Sequence, residues 1–85
     1  MPRDVIRVTA QEDFKLRLEY ANGEIRVFDM RPLLHMKPWI RIADPPRFRL
    51  AEVAYGTVVW PGGIDIAPET LLLDSVAMAP SAAIG

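Results

Sequence analysis

The sequence predicts a small α+β fold: an antiparallel sheet of about five to six short strands in two hairpins, with two to three short helices. Three observations support this. A run of strict polar–apolar alternation, Phe14 to Tyr20, leads into Asn22-Gly23. Two β-rich runs, Glu52–Tyr55 and Thr57–Trp60, are divided by Gly56. Short apolar segments opening on proline stand at Pro32, Pro45 and Pro68.

The elements follow in chain order. Val5 to Ala10 is rich in β-branched residues and reads as a strand. After Gln11-Glu12-Asp13, the alternating run predicts a half-buried strand with Phe14, Leu16, Leu18 and Tyr20 on one face. Lys15, Arg17 and Glu19 lie on the other. Asn22-Gly23 predicts a type I′ turn, because both central residues then need positive φ. A two-residue turn sets the register: Ala21 opposite Glu24, Tyr20 opposite Ile25, Leu18 opposite Val27, and Leu16 opposite Asp29. Tyr20, Ile25, Leu18 and Val27 then share the dry face, and Glu19 meets Arg26 across the wet one.

Asp29 to Met36 predicts a short helix with Pro32 in its first turn, ended by Pro38. Trp39 to Ile42 fits a short strand or an extended connector. Asp44 is a good N-cap for a short helix that starts at Pro45 and buries Phe48, with Ala51 or Leu50. The second hairpin turns at or near Gly56. Pro61-Gly62-Gly63 breaks the chain, Ile64 to Ile66 forms a short strand, and Ala67 to Ser75 forms a last helical turn or two. One domain over residues 1–76 is expected. The small, uncharged segment 77–85 is expected to be a poorly ordered tail.

Composition narrows the function classes. The 85 residues hold ten basic and eleven acidic side chains, a net charge of −1, so nothing global draws the chain to nucleic acid or anionic lipid. It has no cysteine, which excludes disulfides and thiolate metal sites. The opening residues lack a signal-peptide apolar run, and no stretch approaches the roughly 20 apolar residues that span a bilayer. A cytoplasmic protein is expected.

No motif supports catalysis. His35 is the only histidine and stands among Leu33, Leu34 and Met36, without an evident carboxylate partner. The acids do not cluster as a hard-cation site would require. The serines and threonines lie in no nucleophile-elbow context. The expectation is therefore no enzyme, no catalytic residue, no metal and no cofactor. Asp65, between Ile64 and Ile66, is a candidate for a partly buried acid poised near Trp60 or, more simply, for a turn-capping acceptor. Trp60 and Trp39 are candidate recognition anchors, Trp60 also fitting the core. Trp39, Ile40, Arg41, Trp60 and Asp65 thus make up one possible interaction surface. Arg31, Arg41, Arg47 and Arg49 make up a possible phosphate-contacting group, with a solvated face as the simpler alternative.

The order of these signals resembles a known family. Tyr20-Ala21-Asn22-Gly23-Glu24 leads through Val27-Phe28-Asp29 and Arg31-Pro32-Leu33-Leu34 to Asp44-Pro45 and Phe48. Then comes Gly56 to Leu71, GTVVWPGGIDIAPETL. This is similar to the bacterial family catalogued as domain of unknown function 2442. The resemblance covers nearly the whole chain and departs at Gly62, where the family more often has Asn. It implies a small antiparallel α+β domain and no established activity. It also implies kinship with proteins that carry a helix-turn-helix domain, and with others found beside small partners in toxin–antitoxin-like arrangements.

A non-enzymatic protein-interaction or regulatory module is therefore expected. Its partner would be another protein or a second copy, engaged through a sheet edge, a Trp39-centred patch or self-association. The alternatives are an accessory nucleic-acid-binding protein using the arginines, and a small ligand-binding domain or enzyme around Asp65.

Overall fold

The structure, a computed structural model, describes residues 4–78. Two antiparallel sheets share one core. The first orders β1 (Val5–Gln11), β2 (Lys15–Tyr20), β3 (Ile25–Asp29) and β7 (Val76–Ala77) as β1-β2-β3-β7. The second orders β4 (Glu52–Ala54), β5 (Thr57–Trp60) and β6 (Ile64–Asp65) in sequence. Helix α1 (Pro45–Phe48) and helix α2 (Pro68–Asp74) complete the α+β fold, with 3-10 turns at Glu12–Phe14, Arg31–Leu33 and Trp39–Ile42.

The alternation of β2 does what period two requires. Leu16, Leu18 and Tyr20 are buried, and Lys15, Arg17 and Glu19 are not. They join Phe28, Met30, Ile42, Phe48, Val58, Trp60, Ile64, Ile66 and Leu71 in one buried cluster drawn from both sheets and both helices. A register shift in β1 between Val5 and Arg7 places Val5, rather than Ile6, opposite Tyr20. Val5 is buried and Ile6 is left outside. The sheets meet where the Val5 amide donates to the Gly56 carbonyl at 3.1 Å.

The first hairpin corrects the expected register. Tyr20 accepts from the Gly23 amide and donates to the Glu24 carbonyl, both at 2.9 Å, so the loop holds three residues. Of these only Gly23 takes a positive φ, +91°. A type I turn followed by a left-handed glycine gives this geometry. Glu19 therefore faces Ile25, Leu18 faces Arg26, Arg17 faces Val27 and Leu16 faces Phe28. Every β3 side chain changes face. Phe28 enters the core, Ile25 and Val27 move outward, and the expected Glu19–Arg26 pair does not form. Arg26 pairs with Glu24 at 2.7 Å, and Glu19 pairs with Arg17 at 2.9 Å.

The two-residue type I′ geometry appears in the second hairpin instead. Tyr55 and Gly56 both have positive φ, +54° and +74°, between Ala54 and its partner Thr57.

Four further expectations change. Phe14 is not the first residue of β2; it sits at φ +57° before the strand and packs edge-on against Phe48 at 5.2 Å. Asp29 to Met36 forms only a 3-10 turn at Arg31–Leu33, and Trp39–Ile42 is a second such turn rather than a strand or an extended connector. Asp44 caps α1 as expected, accepting from the Arg47 amide at 2.9 Å; Phe48 is buried, Ala51 partly so, and Leu50 is exposed. At the C-terminus β7 adds Ala77 to the first sheet, one residue past the expected domain boundary, and Met78 donates to the Ile25 carbonyl at 3.0 Å. The rest of the expected tail, 79–85, lies outside the described residues.

Candidate functional site

Two tryptophans frame a groove on the surface of the second sheet. The indole N–H of Trp39 donates to the Asp65 carbonyl at 3.1 Å, which pins the Trp39–Ile42 turn onto β6. The indole N–H of Trp60 donates to the Phe48 carbonyl at 3.0 Å, which ties the end of α1 to β5. An indole withdrawn from water takes a partner for its single donor, and here the partners lie in β6 and at the end of α1. Between those segments and the Pro61–Gly63 turn runs a groove of about 370 Å³, lined by Arg41, Ile42, Arg47, Leu50, Pro61, Gly62 and Ile64. Ile42 and Ile64 are buried and form its floor. Arg41, Arg47, Leu50 and Pro61 are exposed and form its rim.

The proposed contact surface comes apart on this geometry. Trp60 is 2 % exposed and belongs to the core, so it is no surface anchor. Trp39 is half-buried against the core, and Ile42 is buried, so only Ile40 and Arg41 of that segment face solvent. Asp65 is exposed rather than partly buried; β-strand alternation buries Ile64 and Ile66 and turns the residue between them outward. Its carboxylate makes no hydrogen bond or ion pair among the described residues, so it caps no turn. His35 is exposed. Among the described residues no group of three or more His, Cys, Asp or Glu could hold a metal ion.

The four arginines divide three ways. Arg41 and Arg47 share the groove, and Arg47 also donates to the Arg41 carbonyl at 3.5 Å. Arg49 lines a separate hollow of about 270 Å³ with Glu12, Asp13, Phe14 and Phe48, where the acids offset it. Arg31 forks onto Asp29, with Nη2–Oδ2 at 2.7 Å and Nε–Oδ1 at 3.0 Å. That fork lowers the Asp29 pKa below its ordinary value and raises that of Arg31. Partial desolvation of Asp29 works against the shift, and the Lys15 charge adds to it. Arg31 is thus engaged, which leaves a phosphate-contacting group of two, Arg41 and Arg47.

A second surface was not foreseen. The outer face of the first sheet is charged over β1 and β2, with Arg7 and Arg17 flanking Glu19. It turns apolar at its β7 end. Val27 faces Val76, and Met78 bonds to Ile25, so these four side chains share the outer face. Val76, Leu73 and Met78 are exposed at 71 %, 78 % and 48 %. On the far side of β7 no described strand pairs with it. The only signal for this surface was the uncharged run Val76-Ala77-Met78, which reads equally as a tail.

No helix among the described residues is long and apolar enough to cross a membrane. Residues 5–76 match the family model described as a protein of unknown function (DUF2442). No curated protein and no solved structure matches the chain.

Proposed function

The chain belongs to the DUF2442 family of proteins of unknown function, and we propose that it is a non-catalytic protein-interaction module whose partner adds a strand at the β7 edge. The observation that supports this is the apolar character of that edge, which no described strand or helix covers. Edge strands in monomeric proteins are usually blunted by lysine, proline, a bulge or a covering element. Among the described residues Val76 and Ala77 carry none of these, and exposed Met78 follows them on the same edge. The Met78 amide points inward to Ile25, so the Ala77 amide, one residue earlier, points outward to where an added strand would bond. Main-chain pairing would give such a complex its affinity, and Val76 with Val27 would give apolar contact. The natural occupant is an extended apolar segment of another protein. A second copy pairing β7 with β7 about a two-fold axis is the alternative.

Affinity capture from extracts of the source cells, with sedimentation equilibrium of the purified chain, tests this. The wild type is expected to retain a protein partner stoichiometrically. Val76→Lys and Ala77→Pro are expected to lose it with the fold intact, the second by removing only the outward donor. Concentration-dependent dimerisation abolished by the same variants would assign the edge to self-association. Retention by both variants, or capture of nucleic acid alone, would overturn the proposal.

A further inference from the structure

We propose that the groove under Arg41 and Arg47 is a second binding site, which receives an extended acidic–apolar segment of a partner protein. It does not rest on strand addition at β7, because the groove belongs to the second sheet and its connections. Three features point to this ligand chemistry.

The first is charge. The guanidinium of Arg41 makes no hydrogen bond or ion pair among the described residues. That of Arg47 donates at 3.5 Å to the Arg41 carbonyl and reaches Asp44 only at 3.8 Å, and that carboxylate already accepts from the Arg47 amide at 2.9 Å. Two cations therefore stand together on a chain whose net charge is −1, so their local excess owes nothing to overall composition. A carboxylate between them would gain charge-assisted hydrogen bonds, bidentate where the fork geometry allows.

The second is the apolar lining. Leu50 is 51 % exposed at the rim, above buried Ile42 and Ile64 and beside Pro61. A free anion would contact only the arginines and leave this surface wet. The Arg47 side chain is itself 68 % exposed, and exposed ion pairs contribute little alone. A segment that places an apolar side chain next to its carboxylate removes the Leu50 surface from water as well.

The third is shape and support. About 370 Å³ falls at the lower end of the volumes that ligand sites occupy, roughly 300–1,000 Å³. Both walls are held by indole hydrogen bonds to backbone carbonyls, so the groove exists before anything binds and little ordering cost remains.

The test uses the full chain, labelled with nitrogen-15, and three probes: acetyl-Leu-Glu-Ile-Glu-Leu-amide, its glutamine counterpart, and inorganic phosphate. Chemical shifts are followed on titration. The acidic peptide is expected to move the amides of Arg41, Leu50, Gly62 and Ile64. The glutamine peptide should bind about tenfold or more weaker, as should the acidic peptide to an Arg41→Ala/Arg47→Ala variant. Both substitutions are at exposed positions, and an unchanged thermal transition confirms that the variant folds. Ala77→Pro should leave peptide binding unchanged, which separates this site from the β7 edge. Equal binding of the two peptides would overturn the charge requirement. Phosphate binding as tight as the acidic peptide would reduce the groove to a simple anion site. Shifts absent from the groove would remove the proposal.

Discussion

The guanidinium of Arg26 donates to both the hydroxyl and the carbonyl of Ser75, and so ties the middle of β3 to the residue that ends α2. Ser75 is buried and its hydroxyl in turn donates to the Leu72 carbonyl at 3.2 Å. Arg26 keeps its charge balanced through Glu24 at 2.7 Å, with only 16 % of its side chain exposed. Among the described residues, β7 and Met78 follow Ser75 and are held by this contact and a few backbone bonds to β3.

Arg26→Met should therefore loosen the C-terminal strand more than the rest of the fold. Hydrogen bonds to a charged group contribute about 1.5–3 kcal/mol each when buried, and partial exposure places the expected global loss near the lower figure. The sharper signature is local. Amide exchange of Met78, which bonds to Ile25, should accelerate well beyond that of β2. Uniform acceleration across both sheets would show that Arg26 supports the whole fold rather than this latch.

The register explains why that latch, and the apolar edge beside it, could not be read from the sequence. Asn22-Gly23 located the turn correctly, but the pair suits two loops: a type I′ turn with both residues left-handed, and a type I turn followed by a left-handed glycine. The chain uses the second, and the alternation of β2 is blind to the difference because a slip moves only the partner strand. In the expected register Ile25 and Val27 are core residues and Arg26 is a solvent-facing partner of Glu19. In the observed one Arg26 turns toward Ser75, and Val27 turns out to meet Val76. Strand alternation and capping were legible because they are local: Leu16, Leu18, Asp44 and Phe48 stand as expected. The groove was legible only in part. Arg41 and Arg47 are six residues apart, but their shared neighbours Pro61 and Ile64 arrive from the second sheet, more than ten residues further along the chain.

The Asp29–Arg31 fork carries a pH dependence whose sign follows from its direction. The carboxyl of Asp29 titrates below its ordinary value in the folded chain, because Arg31 hydrogen-bonds its charged form. The folded state therefore holds the proton less tightly than the unfolded state, in which the group titrates near about 4. Its contribution is complete above that value and is lost as pH falls through the lower, folded one. Asp29 and Arg31 side chains are 38 % and 57 % exposed, so solvent screening keeps the effect small. Urea midpoints of the wild type and Asp29→Asn should differ slightly at neutral pH and converge as pH falls below the lowered, folded value. A difference that persists unchanged at low pH would mean that the variant acts through packing or through the Arg31 amide, which also donates to Asp29 at 3.0 Å.

Tyr55 and Gly56 offer the clearest contrast between two turns of one chain. Both residues are left-handed, and Tyr55 is 97 % exposed, so its ring gains almost nothing from the fold while its backbone sits where non-glycine residues are disfavoured. Asn tolerates this conformation far better, and Tyr55→Asn should stabilise the chain by about 0.5–1 kcal/mol. Gly56→Ala should do the opposite, for two reasons. Its φ of +74° strains any side chain, and a Cβ there would lie 2.7 Å from Oδ1 of Asp4. Gly23, at φ +91°, has open space around it, with nothing within 4 Å of where a Cβ would lie. Gly23→Ala therefore meets the backbone penalty alone, about 1–2 kcal/mol. The expected order of thermal midpoints is Tyr55→Asn above wild type, then Gly23→Ala, then Gly56→Ala. The last step also tests the joint between the sheets, because the Gly56 carbonyl accepts from Val5. If Gly56→Ala costs no more than Gly23→Ala, Asp4 moves aside freely, and the contact between β1 and the second hairpin is looser than the 3.1 Å bond implies.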